Sequence, residues 1–383
     1  MLESVFVYGL LTLVMVVCGS VAARREPEYV GNSGLFVKND RFVEPEIAVI
    51  IAAFTFVFGC RYGVGVDYFR YLFSYQYGMN ERYEFLFRSV SNLMLAHNLH
   101  YSIYFSFWAF LQIVLLLYAF RNYRFIFPYL LLYIIIGNYF MSMVNIIRQQ
   151  LAALIFLCSI QFIDEKKIVN YLICIFLASM FHRSALLMVV MYPILRYRDD
   201  WFQNVGLQLI LLFAAVFLSF RFDLVTQFIG KPFAWFASTF GFERYRVAVL
   251  GNETLDDTSR FGANTGMGIF VSLFKCLPII LLSKPLKMFY HSSFFNMLYS
   301  MWFVRVFTNY ALGTSVILNR PFVFFTDIGL VMLSFFTYYC FKSKKSGLLL
   351  LGTAMIAVNL IMFLFVVSNG KVTTTEYTFF WQH

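Results

Sequence analysis

Long apolar runs separated by short polar breaks make up most of this chain. A helix that crosses a bilayer needs about 20 mostly apolar residues, and shorter ones occur in packed bundles. The pattern predicts an all-α polytopic membrane protein in which residues 1–383 form a single integral membrane domain. About twelve transmembrane segments, some of them short or broken, are predicted at residues 4–23, 46–60, 101–119, 127–143, 145–163, 168–181, 184–195, 203–220, 266–283, 293–313, 322–341 and 347–367.

Basic residues follow every odd-numbered segment and so assign the two sides of the membrane. Positive charge in short loops marks the cytoplasmic side, which predicts that both termini lie outside the cytoplasm. The first segment lacks a basic n-region, so we expect a retained helix and not a cleaved signal peptide. The clusters hold 15 of the 30 basic residues: Arg24, Arg25, Lys38, Arg41, Arg121, Arg124, Lys166, Lys167, Arg196, Arg198, Lys284, Lys287, Lys342, Lys344 and Lys345.

Composition agrees with a membrane class and argues against several others. The chain has 383 residues and is 61% hydrophobic but only 13% charged, whereas soluble domains are about 25% charged. Its net charge of +10 is divided between two faces of a membrane, so nucleic acid is not an expected partner but the lipid bilayer is. The six cysteines lie in or beside apolar runs without a C-x-x-C pair, so we expect neither disulfides nor a metal site, and no cofactor.

Two loops on the predicted outer side are long, at residues 61–100 and 221–265. The first contains YEFLFRSVSNLMLA, whose spacing predicts a helix lying at the membrane interface. The second alternates aromatic patches with charges. Long loops in compact proteins usually contribute to function, so we expect both to be functional periplasmic loops with interfacial helices.

Arginine outnumbers lysine on the outer side and within the membrane, where 12 arginines accompany three lysines. The positive-inside pattern does not favour arginine over lysine. A guanidinium, however, binds phosphate or carboxylate through two parallel hydrogen bonds, which lysine does not. The alternative is that these arginines pair with outer acids or extend to lipid headgroups. Arg148, Arg183, Arg320 and Asp67 all lie near predicted outer helix ends, and they predict one cationic, outward-facing cavity.

The two short segments 168–181 and 184–195 meet at His182 and Arg183. Helices that break at membrane depth occur where they line protein or water, so this junction also indicates a cavity. In the loop before Asp67, Gly63 and Gly65 are expected to let the chain turn sharply.

Several short motifs occur along the chain in a fixed order: R-x-G-V-G-x-D-Y at 61–68, Glu84 before FLF, RQQLA at 148–152, ASMFHRS at 178–184, and Asn319 and Arg320 before a helix. Together, on this layout, they resemble the EpsG family of Wzy-type bacterial exopolysaccharide and O-antigen polymerases. The resemblance covers roughly residues 50–380. The chain departs from the family at Val66, where threonine is usual, and in the long loop 24–45.

The resemblance implies a GT-C-like membrane glycosyltransferase of the bacterial inner membrane whose active site faces the periplasm. Such an enzyme would join undecaprenyl-diphosphate-linked oligosaccharide repeat units. The growing glycan leaves one lipid diphosphate and attaches to a sugar hydroxyl of the next lipid-linked unit. A protein that regulates chain length is a further implied partner.

That reaction needs cations for the diphosphate leaving group and a base for the acceptor hydroxyl. His182 is the first candidate base, against the alternative of a core histidine bonded to a helix carbonyl. Asp67 is the second, against the alternative of a salt bridge to a nearby arginine. The residues predicted to bind diphosphate or sugar are Arg148, Arg183, Arg320, Arg61, Arg70, Gln149 and Glu84.

Two other functions remain open from the sequence. An O-antigen ligase would use the same kind of donor with a lipid A core acceptor, and it would carry a larger outer loop than 221–265. A transporter or flippase for lipid-linked sugars would need polar residues through the full membrane depth. Lys275 and Arg305 lie within apolar runs and are compatible with transport.

Overall fold

The computed structural model describes residues 2–25, 42, 44–220, 235, 266–312 and 319–383, most of them helical. The α-helices are α1 (Leu2–Arg24), α2 (Pro45–Gly59), α3 (Tyr68–Gln76), α4 (Phe85–Ala96), α5 (Tyr101–Ala119), α6 (Phe127–Ile136), α7 (Phe140–Asn145), α8 (Ile147–Asp164), α9 (Ile168–Ser179), α10 (Met191–Tyr197), α11 (Val205–Phe220), α12 (Gly266–Leu281), α13 (Ser283–Tyr290), α14 (Ser293–Ala311), α15 (Thr326–Lys342), α16 (Ser346–Ser368) and α17 (Gly370–Thr373).

Short 3-10 helices and one small sheet complete the described structure. The 3-10 helices span Arg124–Ile126, Arg183–Val190, Arg320–Phe325 and Phe380–Gln382. Strands β1 (Arg61–Tyr62) and β2 (Thr378–Phe379) pair antiparallel.

The helices make this chain an all-α polytopic membrane protein. Within the described residues, five helices are long and apolar enough to cross a membrane, or six if the bent pair α12 and α13 forms one span. Five further apolar helices have only 10–17 residues. Each of the twelve predicted segments contains helix, while the number of crossings and a GT-C-like arrangement remain predictions.

Helix α8 lies at the centre of the bundle. Its sequence is apolar on all sides after the first turn, which is typical of a helix with no solvent or lipid face, and it is buried along most of its length. It packs against α5, α9 and the 3-10 helix Arg320–Phe325. By contrast, α1 and α16 each expose large apolar side chains along one face, which suits contact with lipid.

The helices have two breaks, of which one was predicted from the sequence and the other was not. The expected junction at His182 is present, because α9 ends at Ser179 and a 3-10 helix begins at Arg183. The segment predicted at 127–143 is not continuous: α6 ends at Ile136, and Asn138 adopts a left-handed conformation with φ of 60° before α7 begins. The reason is the Gly-Asn pair, which favours a turn over continued helix.

The predicted cytoplasmic ends of the helices gather at one end of the bundle. Buried Arg124 pairs with Glu44 at 3.0 Å, and Arg121 donates to Gln161 at 2.9 Å. This grouping agrees with the alternation of basic clusters, and which end faces the cytoplasm remains a prediction.

The two long outer loops differ in what the structure describes. Residues 61–100 contain α3 and α4, and α4 matches the predicted amphipathic helix to within two residues. Of the second loop, 221–265, Trp235 is described and the rest lies outside the described residues.

Candidate active site

Arg148 lies in the first turn of α8 and pairs with the carboxylate of Glu84. The N-terminus of a helix is electropositive and disfavours a cation, so this arginine needs a nearby acid. Glu84 directly precedes α4, and its second carboxylate oxygen accepts the backbone N–H of Arg183 at 3.4 Å. One carboxylate therefore links the starts of α4, α8 and the 3-10 helix Arg183–Val190.

The Glu84–Arg148 pair remains partly accessible, with side chains 13% and 19% exposed. A charge-assisted hydrogen bond at such a place is stronger than a neutral one, yet it is within reach of a competing anion. The guanidinium of Arg148 is therefore accessible from outside the bundle.

Two tyrosines form an aromatic wall around Arg148. The guanidinium lies 4.5 Å from the ring centre of Tyr83, whose hydroxyl donates to Ser74 at 2.9 Å. Arg148 is also hydrogen-bonded to the hydroxyl of Tyr71. Burial raises the pKa of Tyr71 to about 12, although the charge of Arg148 opposes this shift. The phenol therefore stays protonated at neutral pH and can donate a hydrogen bond.

His182 lies at the break between α9 and the following 3-10 helix. Its backbone is extended, its side chain is half-buried, and Nδ1 is 2.6 Å from the Ser184 hydroxyl. The amide of Leu86 donates to the carbonyl of Met180 at 3.0 Å, which holds the start of α4 against this break. His182 is thus next to Arg183 and close to Glu84, and it is oriented by a serine hydroxyl.

Asp67 lies at the start of α3 and pairs with Arg70 at 3.9 Å; the Arg70 side chain is exposed and that of Asp67 is partly exposed. An exposed pair of this kind contributes about 0–1 kcal/mol. The loop before Asp67 docks beside α8, because the amide of Val66 donates to Asn145 Oδ1 at 2.6 Å and Asn145 is the last residue of α7.

Glycines make this docking possible. Gly63 and Gly65 have φ of 71° and 102°, as the predicted sharp turn requires. A Cβ on Gly65 would lie 2.6 Å from Asn145 Oδ1, so a side chain there is excluded.

Arg61 lies in a different environment from Arg148. Its side chain is only 2% exposed, donates to the carbonyl of Phe58, and lies over the rings of Phe105 at 4.6 Å and Tyr68 at 5.6 Å. Burial lowers the pKa of Arg61 to about 10. The contacts place Arg61 in the core beneath the loop, whereas Arg70 and Arg183 are exposed.

Arg320 begins a 3-10 helix that packs against both α8 and the 3-10 helix Arg183–Val190. Its backbone therefore belongs to the same group of helix ends, while its side chain lies outside the described residues. The preceding Asn319 accepts a hydrogen bond from Arg305 at 2.5 Å. Gln149, the neighbour of Arg148, is buried in the bundle.

A buried pair on the other face of α8 was missed from the sequence. Gln150 donates to both carboxylate oxygens of Asp327 at 2.8 Å, and both side chains are buried. The available signal was an acid inside the apolar run RPFVFFTDIGL, because an ionisable residue at membrane depth requires a specific partner. The pair attaches the start of α8 to α15.

A cavity of about 260 Å³ lies at the opposite end of α8 from Arg148, and its polar lining includes Asp164, Arg196, Asp199 and Ser293. It belongs to the end predicted to face the cytoplasm. The outward-facing cavity expected beside Arg148 remains a prediction, since most of the loop 221–265 lies outside the described residues.

The fold and the site define a polytopic membrane protein with an arginine-rich, aromatic cluster at one end of the bundle. The model of the EpsG family matches residues 47–379, and the chain belongs to this family. This confirms the resemblance carried by the motifs, and it identifies a polysaccharide polymerase in general terms. No curated protein and no solved structure matches the chain significantly.

Proposed function

We propose that this protein is a membrane glycosyltransferase that polymerises lipid-linked oligosaccharide repeat units. The donor is a growing glycan on undecaprenyl diphosphate, and the acceptor is a sugar hydroxyl of the next lipid-linked unit. The observation that supports this proposal most directly is the contact of Glu84 with both Arg148 and Arg183, in a member of the EpsG family.

The chemistry follows from the charges of this group. As the acceptor oxygen bonds to the anomeric carbon, the bond from that carbon to the diphosphate oxygen breaks and the diphosphate leaves with the electron pair. Arg148, Arg183 and Arg320 stabilise that charge in a site partly shielded from water. Glu84 releases Arg148 to the diphosphate, since the anionic oxygens of a phosphate accept hydrogen bonds from a guanidinium as carboxylate oxygens do.

His182 is proposed as the base that takes the acceptor proton, because it lies next to Arg183 at the break after α9 and an imidazole can accept a proton near neutral pH. Asp67 is proposed chiefly to orient Arg70, with which it is paired. Arg61 supports the site from below, and Gln149 lies beside Arg148 on α8. We place the reaction at the periplasmic face of the bacterial inner membrane, following the positive-inside pattern.

The test is polymerisation by purified protein in liposomes supplied with lipid-linked repeat units. We expect a ladder of products from the wild type and none from Arg148→Ala or His182→Ala, whereas Asp67→Asn should retain partial activity. Arg88→Ala, one turn along α4 from Glu84, is the matched control and should make a normal ladder. Normal ladders from both Arg148→Ala and His182→Ala would refute this site.

The same liposomes separate the remaining functions. Transfer of a single glycan to a lipid A core without a ladder would indicate an O-antigen ligase. Movement of labelled lipid-linked sugar across the bilayer without new glycosidic bonds would indicate a flippase.

A further inference from the structure

The last ten residues of the chain, 374–383, form an element that we call the C-terminal strand segment. Its strand β2 pairs with β1, with Phe379 opposite Arg61 and Thr378 opposite Tyr62. Two backbone hydrogen bonds of 2.9 Å extend the pairing on either side, from Phe380 to the carbonyl of Cys60 and from Gly65 to the carbonyl of Thr374. The loop that carries Asp67 is thus bonded to the C-terminus along residues 60–65.

The C-terminal strand segment is itself anchored in the bundle. Tyr377 is buried, its hydroxyl donates to the carbonyl of Val57 at 2.7 Å, and its amide donates to Ser4 Oγ at 2.9 Å. Two-residue pairing is marginal on its own. The anchors on α1 and α2 therefore fix its position, and the strand has a defined register against the loop.

Ring contacts add to the backbone bonds at the last residues of this segment. His383 stacks on Tyr62 with ring centres 4.2 Å apart, and Phe380 lies 5.0 Å from His100 at the start of α5. The segment therefore bridges the first helix, the loop and α5.

The loop is held from two sides at adjacent residues. The amide of Gly65 bonds to Thr374 in the C-terminal strand segment, and the amide of Val66 bonds to Asn145 at the end of α7. Asn145 precedes Arg148 by three residues. A shift of the strand by one residue would move Gly65 and, with it, the position of Asp67 and α3 relative to Arg148.

We propose that the C-terminal strand segment positions the active site: it fixes the loop 61–67 against Asn145 and so sets the position of Asp67 and α3 relative to Arg148. This inference rests on the proposed polymerase function for its effect on turnover. The fixation of the loop is a separate, directly measurable part of it.

Phe380→Pro tests the proposal because it removes the amide that bonds to Cys60 while leaving the buried Tyr377 in place. Phe380→Leu, which keeps the amide, is the matched control. A spin label on Val66→Cys, in a background lacking the native cysteines, reports loop mobility without any reference to activity. Thermal unfolding in detergent monitors the rest of the bundle.

We expect Phe380→Pro to increase the mobility of the label and to lower turnover at saturating substrate at least tenfold, because small displacements of a positioned group are costly. The KM and the unfolding midpoint should change little, and Phe380→Leu should behave as the wild type. A disulfide between cysteines replacing Tyr62 and Thr378 should restore turnover to Phe380→Pro, and reduction should abolish the gain.

Three results would overturn the proposal. The label could remain as immobile in Phe380→Pro as in Phe380→Leu, or it could become mobile without loss of turnover. The third is loss of activity when the same disulfide is introduced into the otherwise wild-type protein. That result would mean that β2 has to separate from β1 during turnover, which is incompatible with a fixed positioning role. If the unlocked wild type makes no polymer, the polymerase proposal fails, and the label still decides whether the strand fixes the loop.

Discussion

Arg148 occupies a position where helix electrostatics oppose it, and this makes its partner informative. A cation in the first turn of a helix gains nothing from the backbone dipoles, so the position in α8 does not by itself favour an arginine. Glu84 offsets the cost, but it leaves the pair partly exposed at the meeting point of three helix ends. A partly exposed arginine at the meeting point of several helix ends is a candidate for a ligand-binding role.

Replacing Arg148 with lysine keeps the positive charge but removes the planar guanidinium, which can donate two parallel hydrogen bonds. We expect turnover in the liposome polymerisation assay to fall by about 100-fold to 1,000-fold, as when one donor to a developing charge is removed. Arg88→Lys on α4 is the control for loss of a guanidinium outside the site. Its turnover should remain within about twofold of that of the wild type. Wild-type turnover in Arg148→Lys would mean that bidentate binding is not used.

Gln150 and Asp327 form a pair whose energetics can be measured without an activity assay. Gln150→Leu leaves a buried carboxyl group without its amide donors, and we expect it to lower the free energy of unfolding by about 3 kcal/mol. The double variant Gln150→Leu/Asp327→Leu should be less destabilised than Gln150→Leu alone, because no orphaned carboxyl group remains. Equilibrium unfolding in detergent gives both values, and strictly additive losses would show that the two residues are not coupled.

At the scale of elements, the apolar runs predicted helices well and predicted their interruptions unevenly. The break at His182 was predictable because a histidine and an arginine together interrupt an apolar run. The break between α6 and α7 was missed, because Gly137 and Asn138 carry no charge and the hydropathy averaged over the surrounding residues stays high. Charged residues within an apolar run therefore reveal a helix break. A break without charged residues can be predicted only from the turn propensity of residues such as glycine and asparagine.

The loop before α3 makes a matched pair of glycine predictions possible. Both glycines have positive φ, but a Cβ on Gly65 would strike Asn145 whereas one on Gly63 would meet nothing closer than 3.8 Å. We expect Gly63→Ala to cost about 1–2 kcal/mol from backbone strain alone, and Gly65→Ala to cost clearly more. Thermal unfolding of the two variants in the same detergent checks the order, and equal losses would contradict the role of Asn145.

At the scale of the whole molecule, the contacts that assemble the site join parts of the chain that no local pattern connects. The residues Glu84, Arg148 and Arg183 could each be nominated from sequence, but their pairing is set by how α4, α8 and α9 pack. The strand pairing of Tyr62 with Thr378 spans 316 residues. Two-residue strands carry no periodicity, so this contact could not be predicted from the sequence.

The predicted orientation of the bundle yields the final prediction, which concerns the side of the membrane that each end faces. In a variant lacking native cysteines, Tyr77→Cys directly follows α3 in the predicted outer loop 61–100, and Tyr197→Cys lies at the end of α10, between the basic residues Arg196 and Arg198. The native side chains are 70% and 93% exposed, so both cysteines should be accessible to reagent. A membrane-impermeant maleimide added to intact cells should label Tyr77→Cys and spare Tyr197→Cys.

Permeabilising the cells should make Tyr197→Cys reactive, which shows that its protection came from the membrane and not from burial. Met288→Cys on α13 provides a second reporter for the same end, since it is 75% exposed and follows Lys287. The positive-inside pattern requires these two positions to behave alike. If Tyr197→Cys and Met288→Cys were labelled in intact cells and Tyr77→Cys were protected, the orientation of the bundle in the membrane would be the reverse of the predicted one. The arginine cluster would then face the cytoplasm, and the periplasmic site proposed for polymerisation would have to be abandoned.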